Sequence, residues 1–188
     1  MTMTSRPTWA EIDLGAIRHN LGQIKKLLGA GKPLSPKIMV VVKANAYGHG
    51  LIEVAKTLEK LDVHYLGVAS LDEAVCLRRE GIRLPILVLG TILPQEVDSA
   101  LDYDVTLTVC SREVARTLNN KAKVLGKIVP VHIKIDTGMG RIGVWHQQAF
   151  DFVKKLAKLK NIRMEGIYTH FASASRDKYF ALKYPGWE

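Results

Sequence analysis

The chain has 188 residues, 47% hydrophobic and 24% charged, enough to bury a sizeable core and unlike a disordered segment. Its formal charge of +9 raises nucleic acid as a partner. However, the lysines are scattered, the densest group (Lys154, Lys155, Lys158, Lys160) reads as one solvated helix face, and no aromatic-studded strand accompanies it. A nucleic-acid partner is therefore not expected. No apolar run is as long as a membrane span and no charged-then-apolar leader precedes the first helix, so a cytoplasmic protein without a membrane partner is the expectation. Cys76 and Cys110 lack CxxC or Cys/His spacing; they read as structural thiols, with no metal site.

Asp13 is placed to cap a helix on which Ile17, Leu21, Ile24 and Leu28 recur at helical spacing before Gly29 and Gly31. Residues 38–50, IMVVVKANAYGHG, follow. An apolar, β-branched run ends abruptly on Lys43 and gives way to small turn-forming residues, which predicts a strand buried on both faces. Leu51, Val54, Ala55 and Leu58 then share one helix face. Residues 65–69 predict a short strand, and Ser70 with Glu73 forms a capping box for a helix ending near Gly81. Pro85 opens a strand over 86–89, and Pro94 suits the first turn of the next helix. Val105, Leu107 and Val109 alternate with Thr106 and Thr108 in a further strand, after which Ser111 is placed to cap a helix carrying Val114, Ala115 and Leu118. Residues 129–136 predict a strand, Phe150, Val153, Leu156 and Leu159 a helix, and residues 162–170 a last strand.

Strand and helix alternate through six βα-type repeats with no linker, which calls for a parallel sheet with right-handed crossovers. A closed α/β barrel needs eight units and about 250 residues, so the pattern fits either a shorter open sheet or a barrel cut short. The stretch DKYFALKYPGWE offers neither a helical face nor final strands. The expectation is one partial domain over 1–188: a (β/α)8 TIM-type barrel truncated to about six units, with residues 171–188 a ragged tail.

Chemistry-bearing residues stand where strands end. A desolvated lysine at Lys43 would have a lowered pKa and could form an imine with a carbonyl, although a lone lysine at a strand end more commonly snorkels to solvent. Gly48 and Gly50 permit close backbone approach, and the helix starting at Leu51 offers an anion its N-terminus. In the strand over 129–136, Val131, Ile133 and Ile135 point one way and His132, Lys134 and Asp136 the other. That polar face is either a wet edge or a set of paired groups in a barrel lumen. TGMGRIG (137–143) presents Arg141 on a glycine-rich loop, suited to a carboxylate or phenolate oxygen. Its match to GxGxxG is weak, because the preceding strand is charged. His170 closes the last strand, and a lone histidine there is more often structural; His49 is read as structural too.

Four segments, TWAEIDLGAIRHNL (8–21), VVKANAYGHG (41–50), HIKIDTGMGRIG (132–143) and EGIYTHFA (165–172), together resemble the alanine racemases in order and spacing. The resemblance implies a pyridoxal-phosphate enzyme interconverting L- and D-alanine for cell-wall synthesis. It makes Lys43 the cofactor-binding and catalytic lysine, with Tyr47 at the cofactor phosphate, Leu89 lining the pocket and His170 packed on the cofactor ring. Arg141 would contact the cofactor's phenolic oxygen and the substrate carboxylate, and Lys134 matches a lysine that is carbamylated in some members. The family pattern is a homodimer in which a C-terminal β domain of the partner supplies the second acid/base. That domain is absent from this sequence, so the chain alone is expected to be inactive or weakly active. Two other readings stand beside it: a single-domain pyridoxal-phosphate-binding barrel without racemase activity, and a non-enzymatic fragment associating with a full-length homologue.

Overall fold

The computed structural model describes residues 8–29 and 35–173. They form two compact units, 1–86 and 87–188.

In the first unit, α1 (Leu14–Leu27) starts where the Asp13 carboxylate accepts the Gly15 N–H at 2.6 Å, the cap expected from sequence. Leu21 is buried, but Ile24 and Leu28 are 48% and 40% exposed, so the helix buries a narrower stripe than its periodicity predicted. β1 (Met39–Val41) pairs in parallel with β2 (Tyr65–Val68), setting Val40 opposite Leu66. The expectation of a strand buried on both faces is corrected: Met39, Val40 and Val41 are only half-buried, because β1 ends the strand order and has one paired edge among the described residues. Burial arrives one residue later, at Val42. After α2 (Lys43–Tyr47), a single short turn, α3 (Leu51–Glu59) turns Leu51, Val54, Ala55 and Leu58 inward, and α4 (Leu71–Arg79) does the same with Leu71, Ala74 and Leu77. Ser70 caps α4 by accepting the Glu73 N–H at 3.4 Å. The return bond of the predicted box is shifted by one residue: the Glu73 carboxylate takes the N–H of Ala69 at 2.7 Å.

β3 (Ile86–Val88) carries the chain from the first unit into the second. Within the second unit, Leu87 and Val88 lie parallel to Thr106 and Leu107 of β4 (Thr106–Val109). Between them, Pro94 opens a 3-10 turn that leads into α5 (Val97–Asp102). β5 (Val129–Asp136) is central: it pairs with β4 on one side and with β7 (Ile162–Tyr168) on the other, through a register shift at Val131/His132. A two-residue strand not foreseen from sequence, β6 (Val144–Trp145), adds to the end of β5 at Ile135 and Asp136. β4 is buried along its whole length, Thr106 and Thr108 included.

Two helices differ from their sequence reading. At the start of α6 (Arg112–Val124), Ser111 has the extended backbone of an N-cap, but its side chain makes no capping bond. α7 (Ala149–Leu156) buries Phe152 and Leu156 and leaves Phe150 77% exposed. A 3-10 turn over His146–Gln148 sets its entry angle, and the helix stops before Leu159. Lys154, Lys155, Lys158 and Lys160 are exposed, as a solvated face requires. β7 ends at Tyr168, two residues short of the predicted strand.

Every pairing within each unit is parallel, with helices between successive long strands. This is the βα repeat of an α/β sheet. Leu58, Leu66, Leu77, Ile86, Leu107, Leu118 and Ile133 are fully buried, each contributing roughly 1.5–3 kcal/mol of transfer free energy. No helix among the described residues is long and apolar enough to cross a membrane. Of the tail expected over 171–188, residues 174–188 lie outside the described residues.

Candidate active site

At the end of β1 the Val42 N–H completes the ladder to the Gly67 carbonyl at 2.8 Å, and the chain then winds left-handed. Ala44, Asn45, Ala46 and Tyr47 have φ of 52, 56, 52 and 55°, and Gly48 follows at 87°. Asn45 tolerates this region, but other side chains pay ~1–2 kcal/mol there, so Ala44, Ala46 and Tyr47 store strain on the order of 3–6 kcal/mol. Such strain persists only where neighbours over-determine it.

Here they do. Ala46 N–H reaches Val42 O at 2.8 Å, Gly50 N–H reaches Asn45 O at 3.0 Å, and the Asn45 side chain accepts the Leu51 N–H at 2.8 Å, capping α3 from inside the turn. A His49 ring nitrogen lies 2.9 Å from the Ala46 carbonyl, a structural contact. The Ala44 N–H is bonded to Glu73 Oε1 at 2.6 Å. Lys43 heads this turn half-buried, its ammonium 6.0 Å from the ring centroid of Tyr47, which is 59% exposed. No carboxylate among the described residues forms an ion pair with Lys43.

In the second unit the polar face of β5 is an interior one. Lys134 is 5% and Asp136 8% exposed, and His132 is half-buried. Of the two readings left open by the sequence, paired interior groups describe this strand. The Lys134 ammonium lies 5.4 Å from the ring centroid of Tyr168. The Tyr168 hydroxyl sits 2.7 Å from Thr108 Oγ1 and donates to the Leu89 carbonyl at 3.2 Å, which joins β4, β7 and the segment after β3. Burial pushes the Tyr168 phenol above its ordinary pKa, with the Thr108 bond acting against it. His132 meets Tyr168 edge-on at 6.4 Å; burial lowers its imidazole pKa and the Glu165 charge opposes the change. Gly166 makes room for this ring, since a Cβ there would stand 2.9 Å from it.

Asp136 organises the glycine-rich loop. Its Oδ1 accepts the N–H groups of Gly138 at 2.9 Å and Gly140 at 3.1 Å. These bonds hold the carboxyl below the usual carboxylate range, with the amides of Arg141 and Met139 adding to the effect. Arg141 leaves this nest exposed. Gly143 then passes so close to β5 that a Cβ would lie 2.6 Å from the Asp136 nitrogen, at φ 142°.

The sequence-selected residues thus fall into two sets. Lys43 and Tyr47 share one strained turn after β1. Lys134 and the Leu89 carbonyl converge on Tyr168, while Arg141 and His170 stand exposed on segments leaving the C-terminal ends of β5 and β7. The bases of those two segments are tied by a 2.8 Å bond between Thr137 and Thr169 hydroxyls, with Thr169 Oγ1 also 2.8 Å from the Ile135 carbonyl. Lys43, Tyr47, Leu89, Arg141 and His170 follow a strand's C-terminal end, the edge on which α/β barrels carry their chemistry, whereas Lys134 lies within β5. Sequence reasoning missed the connecting roles of Glu73 and Tyr168. An acidic residue at the third position of a helix was a cue for the first; nothing in the local pattern marked the second.

The sequence model described as "Alanine racemase, N-terminal domain" matches residues 12–184. The alanine racemase of Halothermothrix orenii is 49% identical over 185 residues, 98% of this chain and 47% of its own length. That of Desulfovibrio desulfuricans is 46% identical over 184 residues, 97% and 48% respectively. The solved alanine racemase of Clostridium difficile 630 superposes with a TM-score of 0.83 at 45% identity, covering 91% of this chain and 44% of that one. The chain therefore spans about half the length of the curated relatives it matches. The fold class expected from sequence stands: the strand–helix repeats are those of the (β/α) barrel portion of these enzymes, in fewer than eight units among the described residues. The chain belongs to the alanine racemase family, which it matches through the N-terminal domain.

Proposed function

We propose that the protein is an amino-acid racemase acting on alanine with pyridoxal phosphate as cofactor, and that Lys43 is the residue that holds the cofactor. The observation supporting this most directly is the placement of Lys43: a half-buried amine without a carboxylate partner among the described residues, at a strand's C-terminal end, on a backbone turn strained enough to need a reason. The donor set suits the group. A primary amine matches its aldehyde, the Tyr47 phenol and the glycine-bearing turn before α3 match its phosphate, and the Arg141 guanidinium matches its phenolic oxygen or a substrate carboxylate.

When bound, the cofactor supplies an electron sink that makes the α-proton of an amino acid removable. Lys43 would take or return that proton on one face of the substrate. Arg141 would orient the carboxylate, His170 would pack against the cofactor ring, and Leu89 would line the pocket. Lys134, already interior, would hold Arg141 in place, as a carbamate if it carries that modification. The domain organisation proposed is one partial barrel over 1–188, and the assembly proposed is the cytoplasmic homodimer of the full-length family, in which a C-terminal β domain of the partner supplies the acid/base on the opposite face.

The test is covalent trapping. Protein incubated with pyridoxal phosphate and reduced with borohydride should carry the cofactor's mass on the peptide containing Lys43, and Lys43→Ala should lose it. Labelling spread evenly over surface lysines, with none preferred at Lys43, would remove the basis of the proposal.

A further inference from the structure

We infer that Glu73 is a positioning residue for Lys43: its carboxylate locks the left-handed turn on which the lysine stands. The inference rests on the proposed role of Lys43 and adds a residue from a different element. Glu73 lies in the first turn of α4, yet its two oxygens leave that helix in two directions. Oε1 accepts the N–H of Ala44 at 2.6 Å and Oε2 the N–H of Ala69 at 2.7 Å. Ala69 follows the last residue of β2, and Ala44 follows Lys43 just past the end of β1, so one carboxylate clamps the ends of two paired strands.

The bond to Ala44 has a specific mechanical effect. The Ala44 N–H belongs to the peptide unit that begins with the Lys43 carbonyl, so holding it fixes the plane of that peptide and the torsion with which Lys43 enters the turn. Among the bonds that hold the turn, this one has a charged acceptor, which makes it shorter and stronger than its neutral companions. The carboxylate itself is set by the Ser70 cap and favoured by the α4 N-terminus. A capping glutamate that served α4 alone would have no use for Ala44.

Glu73→Gln tests this, because it keeps length and helix preference while removing the charge. Two readouts are needed. Amide exchange at Ala44, followed by NMR without cofactor, should be protected in the wild-type chain and markedly faster in Glu73→Gln, with Glu73→Asp intermediate. The rate of cofactor trapping at Lys43 should fall about tenfold in Glu73→Gln, while labelling of Lys154 and Lys155 stays constant. A Glu73→Gln protein that keeps wild-type Ala44 protection and wild-type trapping at Lys43 would overturn the inference. Should the wild-type chain show no preference for Lys43, the proposed function falls, and the exchange data alone decide whether Glu73 holds the turn. If Glu73→Gln does not fold, Glu73→Asp carries the same comparison.

Discussion

Asp136 and Gly140 are joined by a 3.1 Å hydrogen bond from the glycine N–H to the aspartate Oδ1, and the Gly138 N–H meets the same oxygen. The carboxylate therefore sits inside the loop it begins, and the loop takes its shape from that charge. Because the folded pKa lies below the ordinary value, Asp136 stabilises the fold above the usual carboxylate range, about pH 4, and loses this contribution as pH falls through the folded value. Asp136→Asn should lower the urea midpoint at neutral pH and flatten its decline in acid, and residues 137–143 should become the first site of limited proteolysis. Equal acid profiles for the two proteins would contradict the nest.

Gly143 and Gly140 separate steric from conformational need. Both have positive φ, but only at Gly143 would a Cβ meet backbone, 2.6 Å from the Asp136 nitrogen. Gly140→Ala should cost about 1 kcal/mol. Gly143→Ala should cost at least ~2 kcal/mol and loosen β6 from β5. Denaturant melts of the two variants measure the difference.

Tyr168→Phe removes a hydroxyl bonded to Thr108 and to the Leu89 carbonyl, and leaves the buried Thr108 hydroxyl short of a partner. A loss of about 1–3 kcal/mol is expected, largely restored when Thr108→Val removes the orphaned group as well. Ultraviolet titration should show one phenol ionising later than exposed tyrosines, in keeping with the upward shift that burial imposes.

His132 titrates in the opposite sense. Burial lowers its folded pKa, so the unfolded chain binds the proton more readily, and this residue weakens the fold as pH falls below about 6.5. Replacing His132 with Gln should remove that part of the pH dependence between neutral and mildly acidic solution. An unchanged profile would show that the ring is solvated.

Much of the scaffold was legible because it obeys local rules. Asp13 caps α1, Ser70 caps α4, and the β5 alternation placed Lys134 and Asp136 on the face where they are found buried. What escaped depended on partners distant in sequence. Met39–Val41 looks like a core strand until its place at the end of the strand order among the described residues is known, and Phe150 and Phe152 are equally apolar until the turn before α7 fixes which one faces inward. The candidate residues at strand ends were readable one by one. The contacts that relate them, Glu73 to Ala44 and Tyr168 to Leu89, span 29 and 79 positions and leave no periodic trace.

Ala44 and Ala46 occupy backbone angles that glycine would adopt with ease. Glycine would enter the same turn readily and leave it just as readily, since its unfolded chain has more conformations to return to. The methyl groups make the arrangement harder to reach and, once reached, harder to blur. The Lys43 amine is thereby aimed by a backbone with few alternatives, and replacing the alanines should yield a protein of similar melting behaviour whose lysine points less consistently.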